Sequence, residues 1–396
     1  MPSLYVHVPF CLRKCHYCAF YSQPLMGLHS SAQPADYLEG LELEILERHK
    51  DAPQGVSSLF IGGGTPTVLE LEQLERLLQL IRSYFPMSAE AEKTMEGNPG
   101  TLTPEKLELI RRYGINRFSL GVQSLDDDVL KAAGRIHNAG QIREAVALLR
   151  TAGFANINLD LMFGLPRQTM PVWQSTLEEV LTYAPEHLSL YGLMLEEGTL
   201  LYEQYRGGEK NSLGRKAGPE PDGLPDDDLQ AEMYDWAAER LVREGYRRYE
   251  TSNFARPGYE CQHNLGYWRG TDYLGLGPGG VSCLNRVRWK NVEDINIYKE
   301  SLLKKENPLS EDGAETLSLR DCMAERMILG LRLAEGVSLT AFKKDFGADL
   351  RDIYREVLER YKNENVFRFQ GDYLCLNPQY SFTANFVLQE FVDGPG

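Results

Sequence analysis

The chain has 396 residues, of which 42% are hydrophobic and 25% charged, and its formal net charge is −15. That length suits one large domain plus a smaller one. The acidic balance repels phosphate backbones, so nucleic acid is not an expected partner, and no apolar run reaches the roughly 18–20 residues that span a bilayer.

The first residues, MPSLYVHVPF, read as a strand running into a loop, so no secretory leader is expected and the cytoplasm is the expected compartment. The loop that follows carries Cys11, Cys15 and Cys18, three of the seven cysteines, in a C-x3-C-x2-C spacing. In a reducing compartment such a cluster points to metal rather than to a disulfide framework. A cubane iron–sulfur cluster needs a ligand on each iron. This loop supplies three thiolates and leaves one iron for a ligand that is not protein, an open position of the kind reactive metal sites keep. Arg13 and Lys14 place positive charge beside the thiolates. A zinc knuckle is the alternative; it would want a fourth ligand nearby, and His16 inside the loop is awkwardly placed for that.

Beyond the loop, short apolar runs alternate with amphipathic stretches. Strands are predicted near 4–8, 57–61, 93–96, 116–122, 156–161 and 187–191. Helices are predicted through LEGLELEILER, LELEQLERLLQLIRSYF and AGQIREAVALLRTAG. Thr103-Pro104-Glu105 is a further helix start, with a capping threonine and proline in the first turn. This βα alternation implies a parallel sheet with right-handed crossovers, either an open doubly wound sheet or an incomplete barrel. Residues 207–228 are rich in Gly, Pro and charge without apolar periodicity and read as a solvated insert loop. After residue 315 come three helical stretches and a hairpin turned at Gln370-Gly371-Asp372, a small winged-helix-like α+β domain. The resulting division is 1–206, 207–228, 229–314 and 315–396.

The segment Tyr5-Val-His-Val-Pro-Phe-Cys11-x3-Cys15-x-Tyr17-Cys18 resembles the cluster loop of radical S-adenosylmethionine (SAM) enzymes, in the branch related to oxygen-independent coproporphyrinogen oxidase. The resemblance implies a partial (β/α)6 barrel, a [4Fe–4S] cluster on Cys11, Cys15 and Cys18, and SAM chelated to the open iron, where one electron cleaves it. It also implies SAM-site roles for several further residues. Gly64, Thr65 and Pro66 belong to a glycine loop that ends a strand. Glu96 and Asp160 stand at strand C-terminal ends, the face where barrels bind ligands. Gln123, in GVQS, and Arg135, in GRIH, match SAM-contacting positions, and Tyr5 and Tyr17 line the pocket.

Two features place the chain within that family. Coproporphyrinogen oxidases of this type carry a further cysteine two residues after the third, and here that position is Phe20. The porphyrinogen oxidation step is therefore not expected. Cys261-Gln-His263-Asn264-x2-Tyr267-Trp268 resembles the HNxxYW motif of the heme-chaperone branch. That implies heme as cargo, with His263 as an axial ligand, and a heme-acceptor protein as partner. An electron donor is implied if SAM is cleaved, and a respiratory acceptor would bring peripheral membrane association. The competing expectation is a radical SAM catalyst acting on a porphyrin or another substrate: a coproporphyrinogen III dehydrogenase, a methyltransferase or a cyclopropanase.

Overall fold

The computed structural model describes residues 1–25, 32–205, 223–381 and 383–392. Six strands follow one another in the first half: β1 (Ser3–Val8), β2 (Leu59–Gly63), β3 (Lys93–Gly97), β4 (Arg117–Gln123), β5 (Ile157–Phe163) and β6 (His187–Gly192). Each pairs in parallel with the next. The second of these lies two residues later than its apolar run predicts, beginning where Leu59 pairs with Leu4 and ending where Gly63 pairs with Val8.

Six further strands extend the sheet: β7 (Arg247–Arg248), β8 (Asn253–Ala255), β9 (Tyr273–Leu276), β10 (Val281–Leu284), β11 (Val287–Asn291) and β12 (Leu309–Thr316). The order is β12-β11-β10-β9-β1-β2-β3-β4-β5-β6-β8-β7, and the sheet does not close. Strand β9 pairs in parallel with β1, so seven strands run in parallel rather than the six predicted. Its sequence, Tyr273-Leu-Gly-Leu276, is weak in β-branched residues and escapes a pattern search.

Side chains alternate across a strand, and this sheet uses the alternation consistently. Leu4, Val6, Ile61, Met95, Phe118, Leu120, Leu159 and Leu188 join the hydrophobic core with the helices. The other face carries Tyr5, His7, Glu96, Arg117, Ser119, Asn158, Asp160, His187 and Ser189, so the barrel interior is polar. The helices meet the apolar face with regular spacing. Leu71–Tyr84 buries Leu74, Leu77, Leu78 and Ile81, and Glu70 with Gln73 closes its first turn as a capping box. Thr103 caps Pro104–Arg112 by accepting from the Lys106 amide. A buried carboxylate fastens β9 to the outer helix Ala32–Arg48: Glu44 accepts from the Gly277 amide (2.7 Å), Asn291 Nδ2 (2.6 Å) and the Tyr298 hydroxyl (2.6 Å).

The expected insert at 207–228 lies outside the described residues through position 222. From Asp227 the chain is already helical, and Asp226 caps that helix, Asp227–Arg243, through the Leu229 amide. The C-terminal unit has a separate core that includes Met327, Leu331, Phe342, Leu350 and Leu374. Its last predicted helix is two short ones, Leu350–Ile353 and Arg355–Arg360, broken at Tyr354. Its hairpin, Phe367–Gln370 with Tyr373–Leu376, gains a third strand from Val337–Ser338. Among the described residues, no helix is long and apolar enough to cross a membrane.

Candidate functional site

A cleft opens where the parallel strands end. Its lining includes Cys11, Cys15, Cys18, Tyr17, Gly64, Thr65, Glu96, Gln123, Arg135 and Asp160. Ten of the thirteen residues predicted from motifs thus converge on one opening. Tyr5 lies a layer deeper, its hydroxyl 3.0 Å from His7 Nδ1. Pro66 is buried behind the cleft, where it starts a short 3-10 turn.

The thiols stand on a hydrogen-bonded frame. Arg135 donates to Cys15 Sγ at 3.3 Å, to Asn98 Oδ1 at 2.7 Å and to the Gly121 carbonyl at 2.6 Å. Asn98 Nδ2 donates to Thr65 Oγ1 at 2.7 Å, and that hydroxyl lies 3.6 Å from Cys11 Sγ. One guanidinium therefore links the cysteine loop to the ends of β3 and β4. Two glycines make the approach possible. A Cβ on Gly121 would stand 2.4 Å from Asn98 Oδ1, and one on Gly64 would stand 2.5 Å from the Phe10 carbonyl. Asn98 was missed as a site residue; its signal was its place in the same MEGNPG turn as Glu96.

The two carboxylates differ. Asp160 accepts from Ser119 Oγ at 2.9 Å and from Asn158 Nδ2 at 2.8 Å. Glu96 accepts from the Gly63 amide at 3.1 Å, and burial together with the nearby Asp160 pushes its pKa up to about 8. Below Asp160 the chain of bonds continues. His187 Nδ1 donates to Asn158 Oδ1 at 2.6 Å, and His187 Nε2 accepts from Tyr249 at 2.9 Å. Reading the strands for period-two polarity would have found Ser119, Asn158 and His187.

The site's residues fit the cofactors that the cysteine motif implies. Gln123 is held at φ 69°, and among the described residues its buried Oε1 and the buried Arg135 Nε have no hydrogen-bond partner. Such orphaned atoms in a cleft call for a ligand. All three thiols are free. Burial raises the pKa of Cys11 and pushes that of Cys18 up to about 11. Among the described residues, no three His, Cys, Asp or Glu are grouped to hold a single metal ion. A cubane spreads its thiolates farther apart than one tetrahedral zinc does. His16 Nδ1 is 3.1 Å from the Ala132 carbonyl, and its ring packs against Gly134, so it is committed elsewhere.

His263 is not in the cleft. It lies on the short helix Gln262–Trp268, against the N-terminal ends of β2 and β3. Glu92 accepts there from the Gln262 amide (3.0 Å), the His263 amide (3.1 Å) and Cys261 Sγ (3.3 Å). The His263 ring is 2% exposed, its Nδ1 is 3.0 Å from Ser58 Oγ, and burial lowers its pKa to about 3. A strand's length, roughly 15–20 Å, separates it from the thiols.

Comparison with known proteins identifies the family. The radical SAM superfamily matches residues 5–180, and the HemN C-terminal domain matches residues 317–379. Heme chaperone HemW of Lactococcus lactis is 35% identical over 98% of this chain and 97% of its own. The Bacillus subtilis HemW is 34% identical over 99% of both chains. The structure of coproporphyrinogen III oxidase (HemN) from Escherichia coli superposes with a TM-score of 0.82 at 24% identity, covering 98% of this chain and 90% of that one, and so shares the fold. The chain belongs to the HemW family of radical SAM proteins.

Proposed function

We propose that the protein is a heme chaperone that holds a [4Fe–4S] cluster on Cys11, Cys15 and Cys18, binds SAM beside it, and passes heme to an acceptor protein in the cytoplasm. The observation that carries the reading is the cleft itself: three free thiols, Arg135 on Cys15, and Gln123 with an unsatisfied amide oxygen open onto one space. When bound, the cluster supplies an electron and SAM the sulfonium that accepts it. The chain's own residues bind and orient. Asp160 offers acceptors to a cationic nucleoside, and Glu96 adds negative charge once its carboxyl, with a pKa raised to about 8, gives up its proton. Arg135 offsets the charge of the thiolates. If SAM is cleaved in the working cycle, an electron donor is a further partner.

The cleft rim also suits a heme. Phe20 is 71% exposed and Ile136 46% exposed, and both line the opening. Arg13 and Lys14 line it as well, positioned to meet propionates. A flat apolar macrocycle with two carboxylates matches that combination. Phe20 stands where the related oxidases have a cysteine, which supports carriage over porphyrinogen oxidation.

His263 as axial ligand is the second reading, favoured by its Nε2, which has no hydrogen-bond partner among the described residues. It requires the helix Gln262–Trp268 to swing away from Ser58 and Glu92. Heme titration of the anaerobically reconstituted protein, with and without SAM, separates the two. Weakened uptake in Phe20→Ala supports the rim, and weakened uptake in His263→Ala supports the helix. No heme uptake by the wild type, or SAM turnover coupled to a decarboxylated porphyrin, would overturn the chaperone reading.

A further inference from the structure

The helix Asp127–Ala132 runs out into Gly134, which sits at φ 76°. A helix end leaves carbonyls without intrahelical donors. His16 supplies two. Its amide donates to the Ala133 carbonyl at 3.1 Å. Its ring Nδ1 faces the Ala132 carbonyl at 3.1 Å, and since a carbonyl only accepts, Nδ1 is the donor. The ring lies so close to Gly134 that a Cβ there would stand 2.4 Å from His16 Cδ2. The His16 carbonyl in turn accepts from the Leu201 amide at 2.8 Å.

His16 is also the second residue of the turn that the Cys18 amide closes on the Cys15 carbonyl at 3.3 Å. Directly after Gly134 comes Arg135, its amide fixed on the Leu130 carbonyl at 2.9 Å and its guanidinium on Cys15 Sγ at 3.3 Å. Cys15 and Arg135 thus leave from two pieces of chain that His16 joins twice, by its amide and by its ring. The guanidinium is held independently by Asn98 Oδ1 and the Gly121 carbonyl. If the cysteine turn shifts, the arginine does not follow, and the bond to sulfur lengthens.

We propose that His16 is a positioning residue: through its ring N–H on Ala132 it sets the distance from Arg135 to Cys15, and by that distance the reduction potential of the cluster. The inference rests on the reading of the cysteine loop as a cluster site and does not depend on the heme reading. A donor on a cluster sulfur favours the reduced, more negative state and so raises the potential. A charge-assisted bond of this kind weakens as its length and angle leave the optimum.

The test is an anaerobic redox titration of the reconstituted protein without SAM, followed by electron paramagnetic resonance. His16→Phe keeps a ring against Gly134 and removes the N–H donor. Its reduction equilibrium should fall about tenfold, which is a potential about 59 mV lower. His16→Asn offers a side-chain N–H in place of the ring's and should recover most of that loss. In an Arg135→Gln background, where the guanidinium is gone, His16→Phe should change the potential no further. A His16→Phe potential equal to that of the wild type would overturn the proposal. So would a shift of the same size in the Arg135→Gln background, which a merely loosened loop would give. A wild type that assembles no cluster would overturn the cluster reading itself, and the proposal with it.

Discussion

Glu96 makes SAM binding depend on pH in a way that can be calculated. With a pKa of about 8, about one Glu96 carboxyl in ten is ionised at about pH 7. A cationic ligand needs the ionised form, so binding near neutrality must first remove a proton, at a cost of about 1.4 kcal/mol, or about tenfold in Kd. The folded pKa is raised, so the ionised form becomes available as pH rises through 8. Affinity should therefore climb about tenfold from about pH 7 to about pH 9 and then level. Calorimetry in buffers of different ionisation enthalpy should count nearly one proton released per SAM at neutrality. Glu96→Gln removes this slope, and any titration of SAM's own amino group is common to both proteins. A wild-type Kd that does not change with pH, or a slope that survives in Glu96→Gln, would refute the reasoning.

Alkylation of the metal-free thiols by iodoacetamide should accelerate by about tenfold per pH unit for Cys18 until pH nears its pKa of about 11, as read by peptide mass spectrometry. Asn158→Leu breaks bonds to Asp160, Ser119 and His187 inside the barrel; it should cost about 3 kcal/mol in urea unfolding and weaken SAM binding as well. Glu44→Ala strands the Gly277 amide, Asn291 and Tyr298. It should destabilise the fold by about 3 kcal/mol or more while leaving thiol alkylation rates at the cleft unchanged.

The parallel strands were legible because each is a short apolar run between turn signals, and the helices because their leucines recur at helical spacing. Strand β9 was not, since Gly275 and the following Gly277 read as loop. The cysteine loop and the strand-end residues were legible as motifs, and the fold gathers them without rearrangement because barrel strands all end on one face. His263 shows the limit of motif reading. Its neighbours Ser58, Phe60 and Glu92 lie 171 to 205 residues away in sequence, so nothing local reveals that the ring is buried. Arg117 and His187 were hidden for a related reason. Within a strand a polar residue announces which face it shares, but not which distant side chains it will meet there.

The central claim is a cluster with one iron left open to SAM. Electron paramagnetic resonance of the anaerobically reconstituted, dithionite-reduced protein tests it most directly. The account predicts a reduced-cluster signal that changes shape when SAM is added and is absent from the Cys11→Ala, Cys15→Ala, Cys18→Ala triple variant. A signal indifferent to SAM, or one that persists in the triple variant, would contradict it.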